Sequence, residues 1–382
     1  MAQSQFGLSD VSVVGRHHLH AAIDSGDGVL ITPNHPSHAD PFIMLDAADQ
    51  TATPMYFMAA WQVFHHTHRV GRRVLRQHGC FSINREGYDL PAIRQAIRIL
   101  EDAQAPLVIF PEGEVFHLND HVTAFRTGAL HSAVLAAERR QAPVQIVPCG
   151  IKLQFIDDPT DALHRKLNGL EERLRLDSSA GLKLQQRVLV FGERLLENRE
   201  ARILGRVGRG DLQARMDQLT ESILAPLESR FGLSAGERTV PERVKYLRYH
   251  IIRAKDGNDA RFDSAELCQA LKRLFTVMQA YSYPISYIAD QPSVDRLAET
   301  IEKMEEDVLG VQRASLVGRR RATVAYGSPV VINPDFRVSR SIAAETEQLR
   351  TRVQTLVDQL GGPAPVPLTV PADSDAAVSL AA

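Results

Sequence analysis

The sequence predicts an α/β fold: a mixed sheet flanked by helices, followed by a mainly helical C-terminal extension. Three observations carry the prediction. Short apolar runs at residues 28–32, 80–83, 107–110, 145–147 and 188–191 have strand character. Segments with helical spacing, such as 89–104 and 128–140, alternate with them. From about residue 160 the chain changes to charged stretches whose leucines recur three and four positions apart. The alternation puts helices on the faces of a sheet, and the later stretches form amphipathic helices.

Each element has a local reason. The run at 28–32 is rich in β-branched residues and stops at Pro33, which lacks a ladder donor. The run at 80–83 ends in Asn84-Arg85, and that at 107–110 ends in Pro111-Glu112-Gly113, both polar or turn-forming. Ligands of open α/β sheets gather at the carboxyl ends of strands, so these tips are expected to share one edge. The apolar, aromatic stretch 55–64 is followed by Arg69, Arg72, Arg73 and Arg76, which reads either as an interfacial element or as a core helix with a basic end. Helices are expected over 163–176, 212–231, 242–255, 264–281 and 293–308. Residues 187–192 echo residues 322–327, as a duplication or by chance; alternatively the second of these runs, with 330–332, pairs with the sheet edge. A glycine-containing polar stretch at 232–239 divides the chain into regions 1–232 and 233–360, and the aperiodic Pro/Ala/Asp-rich tail 361–382 is expected to be disordered.

Composition excludes several classes. With 44 basic and 46 acidic side chains in 382 residues, no overall charge draws the chain to nucleic acid. Cys80, Cys149 and Cys268 are widely spaced, which suggests neither a disulfide framework nor a thiolate metal site and fits a reducing cytosol. No apolar run reaches the ~18 residues a spanning helix needs, so the chain is expected to be soluble or peripheral. Residues 256–267 begin like a calcium loop, but Arg261 and Leu267 replace its glycine and closing glutamate.

The chemistry concentrates at His35 and Asp40, held between Pro36 and Pro41. A neutral imidazole takes a proton near pH 7, and a carboxylate within reach fixes its tautomer. On its own the pair reads first as a hydrogen-bonded structural turn. A metal-site reading using His35, His38 and Asp40 has the wrong spacing for an H-x-H-x-D-H cluster, with Pro41 in the final histidine position. The groups His17, His18, His20 and His65, His66, His68 lack acidic partners and read as surface residues.

In this order the pieces resemble the phospholipid/glycerol acyltransferase family, which includes the 1-acylglycerol-3-phosphate acyltransferases. Its motif N-H-x-x-x-x-D-P is met by Asn34-His35-Pro36-Ser37-His38-Ala39-Asp40-Pro41. The strand ending in arginine is met by Gly79-Cys80-Phe81-Ser82-Ile83-Asn84-Arg85, F-P-E-G by Phe110-Pro111-Glu112-Gly113, F-[KR]-x-G-A by Phe125-Arg126-Thr127-Gly128-Ala129, and V-P-x-G by Val147-Pro148-Cys149-Gly150. The resemblance implies that His35 and Asp40 are catalytic and that Asn34, Arg85, Glu112, Gly113 and Arg126 bind substrate. It implies an acyl donor thioester, acyl-CoA or acyl carrier protein, as co-substrate with no cofactor or metal. The implied acceptor is a lipid or glycerol phosphate, met at a cytoplasmic membrane surface. Glu114-Val115 departs from the hydroxyl and arginine usual at these positions, which puts a different lipid acceptor among the expectations. The rivals are a metal-dependent hydrolase and a silent lipid-binding scaffold.

Overall fold

Strand β2 (Gly28–Pro33) has all six residues buried, and its side chains alternate between two cores on opposite faces of one sheet. Leu30 joins Leu107, Val144 and Ile146 in one core, while Val29 and Ile31 join Val108, Val147 and Cys149 in the other. Only a strand covered on both faces can be apolar at every position. In this computed structural model residues 6–361 are described, apart from 66, 86, 88, 237, 258 and 337–341. The expected tail from residue 362 onward, and His66, lie outside the described residues.

The other strands are β1 (Leu8–Val14), β3 (Tyr56–Ala60), β4 (Cys80–Ile83), β5 (Leu107–Val108), β6 (Val144–Phe155), β7 (Arg320–Tyr326) and β8 (Val330–Ile332). They form one sheet in the order β1-β7-β6-β2-β5-β3-β4, with β8 also on β6. Strands β2 to β6 run parallel, whereas β7 and β8 pair antiparallel to β6. Helices α1 (Arg16–Asp24) and α2 (Asp40–Gln50) cover one face. Helices α5 (Leu90–Asp102) and α6 (Gly128–Arg140) cover the other. The short α3 (Trp61–His65) and α4 (Arg69–Gln77) lie between β3 and β4. The stretch 55–64 is therefore a strand running into a short helix and not a core helix.

The helical part comprises α7 (Thr160–Leu174), α8 (Leu184–Leu204), α9 (Leu212–Phe231), α10 (Val240–Asp256), α11 (Ser264–Tyr281), α12 (Ser286–Ala289) and α13 (Val294–Leu309). Buried arginines join consecutive members: Arg187 on α8 to Glu171 on α7 at 2.8 Å, Arg215 on α9 to Glu200 on α8 at 2.7 Å, and Arg243 on α10 to Glu228 on α9 at 2.8 Å. Residues 188–191, expected as a strand, lie inside α8. Leu184, Val188 and Phe191, four and three apart, share one buried face, and this helical period prevails over the local β propensity. The echo between 187–192 and 322–327 thus joins a helix to a strand and marks no duplication.

Residue 232, where the two expected regions meet, lies between helices that pack together. Helices α9 and α10, on either side of it, share one core through Leu219, Ile223, Val244 and Leu247. Strand β7 is inserted between β1 and β6, and α14 (Ile342–Leu360) buries Leu349, Val353 and Val357 in the α5/α6 core. Among the described residues no helix is long and apolar enough to cross a membrane.

Removing one member of a buried ion pair strands the other charge, at a cost of about 3–5 kcal/mol. Arg215→Ala is expected to destabilise the chain by that amount in denaturant unfolding, because Glu200 would remain buried without its guanidinium. A loss below about 1 kcal/mol would contradict the role given to the pair.

Candidate active site

The carboxyl ends of β2, β4 and β5 open onto a cavity of about 470 Å³. His35, Arg85, Glu112, Gly113 and Arg126 all line it, with apolar walls from Met58, Ile93, Ile109 and Phe125.

Pro33 ends β2, and the next two side chains take different directions. Asn34 is buried, its amide donating to the Ile151 carbonyl at 3.0 Å and its oxygen accepting from the Ile151 N–H at 2.7 Å. It extends the pairing with β6 one step past the proline. Both its ends are used on backbone, so Asn34 positions the loop and does not reach the cavity as the expected substrate contact. His35 stacks on Phe110 with ring centroids 4.3 Å apart.

Asp40 is fully buried in the first turn of α2, with Pro41 in the same turn where a missing N–H costs no helical bond. Its Oδ2 receives the Ser37 N–H at 2.8 Å and faces His35 Nδ1 at 2.8 Å. The contact assigns the ring proton to Nδ1 and leaves the lone pair on Nε2. Burial pushes the His35 imidazole down to about 4, opposed by Glu112 and reinforced by His38 and Arg85. Burial likewise raises the Asp40 carboxyl, against the Ser37 N–H. The proton they share stays between them, and His35 is a neutral base at pH 7.

Glu112 is buried at 5% exposure. Its Oε1 accepts the His35 backbone N–H at 2.6 Å, and its Oε2 accepts from the Thr123 N–H at 3.0 Å and the Thr123 hydroxyl. Both oxygens are engaged, so the carboxylate locks the histidine loop to the loop at 109–127 and is not presented to a substrate hydroxyl as expected. Thr123 carried no signal in the sequence. Gly113 has φ +75°, and a Cβ there would meet the Arg126 guanidinium carbon at 2.6 Å. Only glycine lets Arg126 lie across this turn.

Arg85 donates to the Gly113 carbonyl and lies 3.3 Å from the Glu114 carboxylate, whose other oxygen is 3.7 Å from Arg126. Glu114, the departure from the family pattern, thus bridges the two guanidiniums at the cavity. A third cation, Lys245 on α10, lines the same cavity. Burial lowers its ammonium, and Arg126 nearby lowers it further. Nothing in an amphipathic helix 160 positions from Arg85 marks such a residue. Glu242 also lines the cavity, but its carboxylate accepts the Thr239 N–H at 2.9 Å and caps α10.

The trio His35, His38 and Asp40 does not assemble as a metal site. His38 instead meets Glu306 of α13 and His117, and among the described residues neither histidine group of the surface forms a ligand cluster.

Residues 10–152, from β1 through most of β6, match the family model described as Acyltransferase. No curated protein matches the chain. Among solved structures, the crystal structure of the 1-acyl-sn-glycerophosphate (LPA) acyltransferase PlsC from Thermotoga maritima is 22% identical, with a TM-score of 0.28. The match covers 38% of this chain and 55% of that one, so the chain spans little more than half the length of that protein.

A base with its pKa depressed in the fold adds stability above its unfolded pKa and loses it as pH falls through the folded value. For His35 that window runs from 6.5 down to about 4. The imidazole nitrogen signals of His35 are therefore expected to stay neutral from pH 8 to about 5 in an NMR titration. A midpoint near 6.5 would contradict the buried-base geometry.

Proposed function

From the match of residues 10–152 to the Acyltransferase family model, we propose that the chain moves a fatty acyl group from acyl-CoA or acyl carrier protein to the hydroxyl of 1-acylglycerol-3-phosphate or a related lysophospholipid or glycerol phosphate. The observation that carries this reading is the buried His35–Asp40 pair, 2.8 Å apart, at a cavity that also holds Arg85, Arg126 and Lys245.

His35 Nε2 accepts the proton of the acceptor hydroxyl as its oxygen attacks the thioester carbonyl. The tetrahedral intermediate collapses, the C–S bond breaks, and the thiolate takes the proton back from the imidazolium. Asp40 orients the ring and balances its transient charge. Arg85, Arg126 and Lys245 hold the acceptor's phosphate, and the apolar wall from Met58 to Phe125 takes acyl chain. Glu112, Asn34 and Gly113 act by positioning. A general base of this kind contributes ~10²–10⁴-fold, and fixing both substrates in one cavity supplies much of the rest.

Contact with a membrane is supported at the sheet edge that carries the cavity wall. Trp61, Val63, Val70 and Val74 are exposed there, beside exposed Arg69, Arg72, Arg73 and Arg76. Val70 and Val74, four apart, form one stripe of α4, and the arginines border it. Such a surface suits peripheral binding to anionic lipid at the cytoplasmic face, where the acceptor resides.

Purified chain incubated with acyl-CoA or acyl carrier protein donors and a panel of phosphate-bearing and neutral acceptors is expected to acylate the phosphate-bearing ones, read by product mass. His35→Ala should lower kcat by ~10²–10⁴-fold in a chain that circular dichroism shows to be folded. Activity untouched by that substitution would sink the mechanism.

Glu114 competes with the acceptor's phosphate for Arg85 and Arg126. An exposed ion pair of this kind is worth roughly 0.2–1 kcal/mol, so Glu114→Gln should lower KM for phosphate-bearing acceptors by roughly 1.4- to fivefold, with kcat little changed. A raised KM instead would point to an acceptor whose head group carries positive charge.

A further inference from the structure

Three ligand-type side chains from three separate elements meet beside the catalytic pair. His38 belongs to the loop that ends at Asp40, His117 to the loop 109–127, and Glu306 to α13. His38 Nε2 lies 3.5 Å from one Glu306 oxygen and His117 Nε2 lies 3.1 Å from the other. All three ligand atoms fall within 4.8 Å of one another, and the two rings meet edge to face at 5.3 Å. His117 and Glu306 are each 8% exposed, while His38 at 39% opens the cluster to solvent.

Both histidines are within ion-pair distance of Glu306, and one of its oxygens also accepts the Ala314 N–H at 3.3 Å. His117 Nε2 is nevertheless a buried nitrogen aimed into the cluster without a well-directed hydrogen bond. His117 also holds φ at 57°, a left-handed conformation unusual for a residue with a side chain. Zinc bonds to nitrogen and oxygen are ~2.0–2.2 Å, which separates neighbouring donors of a tetrahedron by ~3.3–3.5 Å. The two imidazole nitrogens lie 3.5 and 3.1 Å from different oxygens of the carboxylate, near that spacing.

We propose that His38, His117 and Glu306 bind a divalent transition-metal ion, zinc by preference, with a fourth position open to solvent beside His38. Two imidazoles and a carboxylate suit zinc, whereas magnesium demands an octahedron of oxygen ligands. The ion ties α13 to both loops that build the active site and takes no part in acyl transfer. It uses neither His35 nor Asp40, so it stands apart from the hydrolase reading of the same motif.

The full chain, stripped of metal by chelator dialysis, is titrated with Zn²⁺ and separately with Mg²⁺ by calorimetry, and with Co²⁺ by visible absorption. One Zn²⁺ per chain and a four-coordinate Co²⁺ spectrum are expected, with no uptake of Mg²⁺. His117→Ala and Glu306→Gln should each weaken zinc binding roughly 100-fold or more, and the exposed His38→Gln provides a third variant whose folding is least at risk. His35→Ala should bind zinc like the unaltered chain. Absence of zinc binding, binding unchanged in all three ligand variants, or binding lost in His35→Ala would each overturn the proposal.

Discussion

The loops of the candidate site are held together by the buried carboxylate of Glu112. Glu112 accepts the backbone N–H of His35 and two donors of Thr123, so one side chain joins the loop after β2 to the loop after β5. Burial raises its carboxyl, and the three donors pull the other way. A buried acid satisfied on both oxygens rigidifies its surroundings, while one stripped of donors costs about 1–3 kcal/mol per lost partner. The position of His35, and with it the direction of Nε2, follows from a residue that touches no reacting atom.

Strand β6 supplies the second constraint. It continues to Phe155, beyond the point where β2 stops at Pro33, and its backbone there would lack partners on that side. Two asparagine side chains take the vacant positions. Asn34 pairs with both backbone groups of Ile151, and Asn119 with both of Leu153, at 2.7 and 2.8 Å. The proline that frees the histidine loop from the sheet is thereby compatible with a fully bonded strand. On the other side β7 pairs with the same residues of β6, so the centre of the sheet is completed by chain more than 160 positions away.

What the sequence made legible follows from range. The strands at 28, 80 and 144, the helices α5 and α6, and the juxtaposition of His35, Arg85, Glu112 and Arg126 rest on local apolar patterning and on strand tips, which read directly. The residues 188–191 misled because a buried helix and a buried strand share the same short apolar run, and only the spacing to Leu184 separates them. The roles of Asn34 and Glu112 were hidden for another reason. Residue type announces hydrogen-bonding capacity but not the partner, and their partners lie 117 and 77 positions away. Lys245, His117 and Glu306 had no local signature at all, since their significance comes from packing α10 and α13 onto the sheet.

That packing makes the helical half part of the site. The chain of pairs Arg187–Glu171, Arg215–Glu200 and Arg243–Glu228 sets α7 to α10 in order, and α10 then lays Lys245 against the cavity. Arg243 and Lys245 lie two residues apart on one helix, the first buried toward α9 and the second toward the cavity. Charge at the cavity is correspondingly set from both halves: Arg85, Arg126 and Glu114 by the loops of the sheet, Lys245 by the helices. The guanidinium pair bridged by Glu114 keeps one net positive charge, and the lysine adds a second to the cavity. The lining of the cavity therefore depends on the docking of α10 as well as on the strand tips, although every motif in the sequence belongs to the tips.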